Sequence, residues 1–182
     1  GRKGQRLGHT KLYDHMFIDG LEDAYTGAAM GTFAQKTADE HGLTREGMDA
    51  FAIESLTRAQ RAIDDGLNQK EIAPVTIRTR RGEHTVSIDE QPHKANLEKI
   101  PQLRPAFAEN GTITPANSSS ISDGASALLL ASEQAVETHG LTARARIVAH
   151  SRNSLAPEAF TLAPIGAAED VLAKAGWAVA DV

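Results

Sequence analysis

The chain has 182 residues, 41% of them hydrophobic and 24% charged, with a formal net charge of −5 and no cysteine. Such a composition suits one domain with a sizeable core, or a small domain plus part of another, and excludes whole-surface attraction to nucleic acid or an anionic membrane. The absence of thiols removes disulfides, cysteine zinc sites and any cysteine nucleophile within these residues, and it fits a cytoplasmic origin.

In chain order, residues 1–12 are basic and glycine-containing and read as an exposed loop. No apolar stretch follows them as a signal peptide would require, and no apolar run approaches the ~20 residues of a membrane span. Gly1 in place of Met, and a strand-like run stopping at Val182, lead us to expect a piece cut from a longer chain. Residues 13–30 show no clean period and read as loop with short helical turns. Thr32 is placed to cap a helix over 33–41 that Gly42 ends. Thr44 caps the clearest helix. Met48, Phe51, Ala52, Leu56, Ala59 and Ile63 recur on one face, which predicts burial, while Asp49, Glu54, Arg58, Arg61 and Asp65 fall on the wet side before Gly66 ends the run.

A hairpin follows, with strands over 74–79 and 84–89 and a turn over 80–83. Residues 90–116, punctuated by Pro92, Pro101, Pro105 and Pro115, read as a long irregular segment of the kind that is usually functional. Beyond a composition shift near 120–125 the rhythm changes. Ala125–Ala131 reads as a strand buried on both faces, and Ser132 caps a helix to His139 closed by Gly140. Residues 145–150 read as a second strand, and Pro164–Ala175 as a helix closed by Gly176. Strand–helix–strand–helix predicts parallel α/β layers from about 125 onward.

The most informative stretch runs Arg104-Pro105-Ala106-Phe107, Gly111-Thr112-Ile113-Thr114, then Asn117-Ser118-Ser119-Ser120-Ile121-Ser122-Asp123-Gly124-Ala125. It is an extended lead-in to small, hydroxyl-bearing residues and a glycine, opening straight into an apolar run. Small side chains let a ligand approach the backbone, and hydroxyls donate to or accept from an amide-containing ligand. A polar turn before a core strand gives the same pattern.

LRPAF…GTITPANSSSISDGASALLL resembles the segment that thiolases carry between the coenzyme-covering insertion and the last strand of their N-terminal half. Three further stretches match the family in order. LYDHMFIDGLEDAYTGAAMGTFAQ resembles the start of that insertion, LTREGMDAFAIESLTRAQRAIDDG its long helix, and ARIVAHSRNSLAPEAFTLAPIGAAEDVLAKAGWAVADV the opening of the C-terminal half. Residues 66–100 match loosely.

The resemblance implies a thiolase-type layered α-β-α-β-α fold (class α/β), present only in part. An α+β substrate-covering loop domain would occupy residues 1–120, the last strand and helix of the N-terminal half residues 121–142, and the start of the C-terminal half residues 143–182. It implies an acyl-CoA acyltransferase that makes or cleaves 3-ketoacyl-CoA by Claisen exchange through a cysteine acyl-enzyme. That chemistry needs a low-pKa thiolate and donors aimed at developing oxyanion charge. In the family the nucleophilic cysteine lies upstream of the matched segment, and the asparagine, histidine and second cysteine lie beyond it. No catalytic residue is therefore expected here, and this chain alone is expected to be inactive.

Substrate contact is what the resemblance carries over. Ser119 matches a serine that hydrogen-bonds the pantetheine arm, flanked by Ser118 and Ile121. Leu21 and Met30 match residues lining the acyl and pantetheine tunnel, and Phe107 an aromatic near the thioester; plain core packing explains these last three as well. His93 and Lys94 fall near an adenine-contacting loop. Arg2, Lys3, Arg6, His9 and Lys11 fall where the family places an assembly loop, and either basic cluster could steer a polyanion. Ala29 stands where short-chain members often carry a histidine, which leaves a broader 3-ketoacyl substrate open.

The implied partners are acyl-CoA or coenzyme A as substrate and further copies of the chain in a dimer or tetramer, with no nucleic acid, membrane, metal or resident cofactor. The seven histidines show no ligand spacing. Asp19, Glu22 and Asp23 read as a solvated turn. A stand-alone, non-catalytic module that binds coenzyme A or drives oligomerisation is the competing expectation.

Overall fold

The computed structural model describes Gly4 and residues 7–182. The chain forms two compact units, one of Gln35–Ser120 and the other of Gly1–Ala34 with Ile121–Val182. Elements of both helix and sheet are present, and no helix among the described residues is long and apolar enough to cross a membrane.

Helix α1 spans Met30–Glu40, starting ahead of the expected position. Thr32 does not cap it. The Thr32 hydroxyl instead donates back to the Ala29 carbonyl at 2.6 Å, a local bond that this residue type makes as readily inside a first helical turn. Past its end, Gly42 adopts φ 61°, a left-handed conformation that glycine takes without a Cβ clash.

Helix α2 spans Arg45–Asp64 and is capped as expected, the Thr44 hydroxyl accepting from Gly47 N–H. Its buried stripe is rotated from the expected one. Ala52 is buried, and Met48, Leu56, Ala59 and Ile63 are half-buried, but Phe51 is 78% exposed and Asp49, expected on the wet side, is buried. The cause is Arg45. Its guanidinium ion-pairs with Asp49 at 2.7 Å and donates to the carbonyls of Ile100 at 3.1 Å and Leu103 at 2.9 Å, so that the pair packs inward as a unit.

Strands β1 (Val75–Thr79) and β2 (Gly82–Val86) pair antiparallel, with Val75 opposite Val86 and Thr79 opposite Gly82. The turn is therefore Arg80-Arg81, tighter than expected. Gly82, at φ 124°, is what lets it close. Thr76 and Thr85 hydroxyls meet across the ladder at 3.1 Å, and Arg78 pairs with Glu83 at 2.8 Å. Such an exposed two-stranded ribbon adds little burial of its own.

The expected irregular stretch after it carries two short helical pieces, α3 (Gln91–Lys94) and a 3-10 helix over Leu97–Gln102. Ala38, Ala52, Ile100 and Ile113 form the buried apolar centre of this unit. Gln35, itself buried, stitches the unit across sequence: its Oε1 accepts from Thr112 N–H at 2.9 Å and from Ile113 N–H at 3.1 Å.

In the other unit a π-helical turn covers Phe17–Leu21, and Asp23 closes the turn that follows. The Asp23 carboxylate accepts from Tyr25 N–H, Thr26 N–H and the Thr26 hydroxyl, and an isolated bridge joins Glu22 to Ala29. Helix α4 spans Glu133–His139 between Ser132, whose hydroxyl accepts from Ala135 N–H, and Gly140. Helix α5 spans Ala163–Ala175 and ends at Gly176. Ser151 donates to the Ala167 carbonyl at 2.5 Å and Asn153 to that of Ala163 at 3.1 Å, tying the preceding loop to α5.

The two expected strands are not there. Residues 125–131 and 145–150 join no ladder, and Leu128, Leu129 and Leu130 are 89%, 85% and 73% exposed. A strand exists only through its neighbours' hydrogen bonds, and these apolar runs meet none among the described residues.

Candidate functional site

A cavity of about 780 Å³ opens inside the Gln35–Ser120 unit. One wall is the face of α2 that carries Phe51, Leu56 and Ala59, which explains why Phe51 is not in the core. A second wall is the segment from Gln91 to Leu103, and a third the turn Pro115–Ser120.

Each wall is held by side-chain hydrogen bonds. Gln60 on α2 donates to the Pro92 carbonyl at 2.7 Å and fixes α3. Arg45 holds the far end of the 3-10 helix through Ile100 and Leu103. Asn96 caps that helix, its Oδ1 accepting from Glu98 N–H at 3.0 Å. On the third wall Asn117 accepts from Thr114 N–H at 2.8 Å and donates to the Thr112 carbonyl at 3.0 Å, while the fully buried Thr114 accepts from Ala116 N–H. Asn117 is thus the brace of the serine-rich turn. Ser118, Ser119 and Ser120 are what it presents to the cavity.

Of the residues singled out in the sequence, Ser118, Ser119 and Lys94 come together on this cavity. His93 does not line it; its Nε2 faces Asp64 Oδ1 at 3.3 Å. Phe107 is 38% exposed and also stands off the cavity wall. Leu21, Met30 and Ile121 belong to the other unit, where Leu21 and Met30 are half-buried and Ile121 is exposed. Among the basic residues at the start, His9 and Lys11 are exposed, and Arg2, Lys3 and Arg6 lie outside the described residues.

Sequence reasoning missed Phe51, Asn96 and Lys99, all on the cavity wall. Phe51 looked like core because apolar periodicity does not distinguish packing against protein from facing a cavity. Lys99 fell in the long segment flagged for its length, but nothing local separates it from other solvated lysines.

Among the described residues, the charged side chains on the wall are Lys94 and Lys99. Lys94 is paired with Glu90 one helical turn back, and that hydrogen bond and charge hold the Glu90 carboxyl below its ordinary 4.5. The lining offers hydroxyls, amides, ammonium groups and apolar surface. It has no carboxylate, histidine or thiol to move a proton or attack a carbonyl. Among the described residues no group of three or more His, Cys, Asp or Glu could hold a metal ion. The arrangement suits binding and orienting a ligand.

The family model for the thiolase N-terminal domain matches residues 1–134. The chain belongs to the thiolase family. It is 40% identical over 180 residues to an acetyl-CoA acetyltransferase of Paracoccus denitrificans, covering 98% of this chain and 46% of that protein. In structure it superposes on the acetyl-CoA acetyltransferase of Bacillus anthracis with a TM-score of 0.90 at 36% identity, covering all of this chain and 46% of the other. A thiolase of Ascaris suum solved in complex with coenzyme A gives a TM-score of 0.86 at 35% identity, over 99% of this chain and 46% of the other. This chain therefore spans about half the length of the thiolases it matches, and its architecture is a partial thiolase fold.

Proposed function

We propose that the chain is part of an acyl-CoA acyltransferase that makes or cleaves 3-ketoacyl-CoA by Claisen exchange. Its own residues bind the coenzyme A thioester and contribute to assembly into a dimer or tetramer. The nucleophilic cysteine, the oxyanion-stabilising histidine and asparagine, and the second cysteine come from other parts of the longer polypeptide, in the cytoplasm, with no resident cofactor.

One observation carries this reading. A thiolase segment without cysteine brings Ser118, Ser119 and Lys94 onto one cavity. Serine hydroxyls suit the amide groups of the pantetheine arm of coenzyme A, the Phe51–Leu56 face suits the apolar parts of that arm, and the lysines suit the phosphates of the coenzyme. Asn117 and Arg45 keep those groups in place before the ligand arrives, which lowers the ordering cost of binding.

The test is calorimetric titration of coenzyme A into the chain and into Ser119→Ala. Binding that weakens on removing the hydroxyl supports the reading; silence up to millimolar ligand, or binding indifferent to Ser119, removes it. The surrounding coding sequence supplies an independent check. An upstream cysteine in a nucleophile motif, with the remaining catalytic motifs downstream, supports the enzyme, whereas a start codon at Gly1 and a stop after Val182 point to a stand-alone module.

A further inference from the structure

We infer that a second, smaller pocket, at the C-terminal end of α2, binds a primary ammonium group carried on a short apolar stem. This site is independent of carrier binding.

The pocket, of about 310 Å³, lies within the Gln35–Ser120 unit, between the last turn of α2 and the residues that follow β2. It shares no lining residue with the larger cavity. Four polar side chains converge on it: Asn68, Gln69, Ser87 and Asp89. The first three make no side-chain hydrogen bond among the described residues, so their oxygens stay open to a donor. Asp89 is fixed in place, its Oδ1 accepting from Gln91 N–H at 3.2 Å. No lysine, arginine or histidine among the described residues pairs with it.

The charge at this place is one-sided. Ile63 and Gly66 line the pocket where the 20-residue α2 ends, and a helix carries partial negative charge at that end. Arg61, the basic residue of the last turn, pairs with Asp65 at 3.5 Å and does not line the pocket. The lining has a carboxylate, amide and hydroxyl oxygens and no cation. Such a set selects a positive ligand rich in donors, and a primary ammonium supplies three. The rest of the lining is apolar, with Ile63, Ile72 and Ile88, the last of them 58% exposed. An alkyl stem would cover that surface. The volume falls at the small end of the roughly 300–1,000 Å³ usual for ligand pockets, which suits a short stem.

Butylammonium, methylammonium, butanol and butyrate are titrated into the 15N-labelled chain, and into Asp89→Asn, Ser87→Ala and Ile88→Ala, with thermal melts showing that each variant is folded. Butylammonium is expected to shift the amide signals of Asn68, Gln69, Ser87 and Asp89, and to bind more tightly than either butanol or butyrate. Asp89→Asn keeps the acceptor for Gln91 and removes the charge; it should weaken butylammonium by roughly 3- to 10-fold, and Ser87→Ala by about twofold. Ile88→Ala should weaken butylammonium by about 2- to 3-fold and leave methylammonium unchanged. Coenzyme A affinity should be the same in Asp89→Asn as in the wild type. Nα-acetyl-lysine amide, titrated beside butylammonium, identifies the source of the ammonium group. Tighter binding of the lysine derivative supports the site as one for a lysine side chain of a protein, and tighter binding of butylammonium supports it as one for a free amine.

Butanol or butyrate binding as well as butylammonium, an affinity indifferent to Asp89→Asn, or shifts confined to other parts of the chain would each overturn the inference. So would the absence of shifts with every ligand. None of these results touches the carrier-binding reading, which the coenzyme A titrations decide separately.

Discussion

At the residue scale, Gln35 and Gly111 form a lock in which each depends on the other. Gln35 Oε1 satisfies two backbone N–H groups at Thr112 and Ile113, and a Cβ on Gly111 would stand 2.5 Å from that same oxygen. Gln35→Ala leaves those donors unpaired in a buried setting and is expected to cost about 2–4 kcal/mol in denaturant unfolding. Gly111→Ala displaces the Gln35 side chain and should cost a similar amount. Because both changes break the same bonds, the double variant should be at least 1 kcal/mol or so less destabilised than the sum.

Asp23 offers a pH-dependent counterpart. Chiefly the Thr26 hydroxyl, with the N–H groups of Thr26 and Tyr25, holds its carboxyl below the ordinary 3.8. A depressed carboxylate contributes stability that is complete above its unfolded value and is lost as pH falls through the folded one. The turn should thus loosen only below pH 3.8. Carboxyl NMR titration should show Asp23 moving up toward its ordinary value in Thr26→Val; no movement would mean that the hydroxyl is not the cause.

At the scale of elements, α2 shows what a local pattern reveals and what it hides. Its start at Thr44 was legible because a capping hydroxyl acts within three residues, and Thr44→Ala should cost about 1 kcal/mol. The ends of α4 and α5 at Gly140 and Gly176 were legible for the same reason, both glycines taking positive φ. The burial of Asp49 was not legible. An Arg–Asp pair four apart on a helix reads as solvated, and only carbonyls 55–58 residues away turn it inward.

Removing one member of a buried pair strands the other. Arg45→Met should therefore cost about 3–5 kcal/mol. Asp49 Oδ1 already lacks a protein partner, so this carboxylate depends on Arg45 alone. The same variant should weaken coenzyme A binding, since Arg45 holds the wall on which Lys99 sits. A melt near wild type would show that the pair is dispensable. Of the candidate site, Ser118 and Ser119 were readable from a matched motif and Lys94 only from its place near a loop of the resembled family, whereas Phe51 and Lys99 join it through the packing of α2 against residues 91–103.

At the scale of the whole molecule, the thiolase order of segments was legible, but the lack of strand pairing after residue 120 was not. Apolarity marks a strand as one to be covered; it does not supply the cover. Leu128, Leu129 and Leu130 stand exposed, and no residue of the unit formed by Gly1–Ala34 and Ile121–Val182 is buried among those described. A contiguous apolar run of this kind drives association. The chain is expected to self-associate at micromolar concentration in sedimentation velocity, and Leu129→Lys to shift it toward monomer. A wild-type chain that sediments as a dilute monomer would contradict this.

The hydrogen bonds from Gln35 to Thr112 and Ile113 have one more consequence. They bring the incoming and outgoing strands of polypeptide together at the base of the segment between them, as a drawstring closes a pouch. A segment gathered at its neck in this way should be removable. Residues 30–120, which keep α1 whole, should express as an independent cassette with a cooperative melt, and grafting that cassette into another thiolase should carry its ligand preference along.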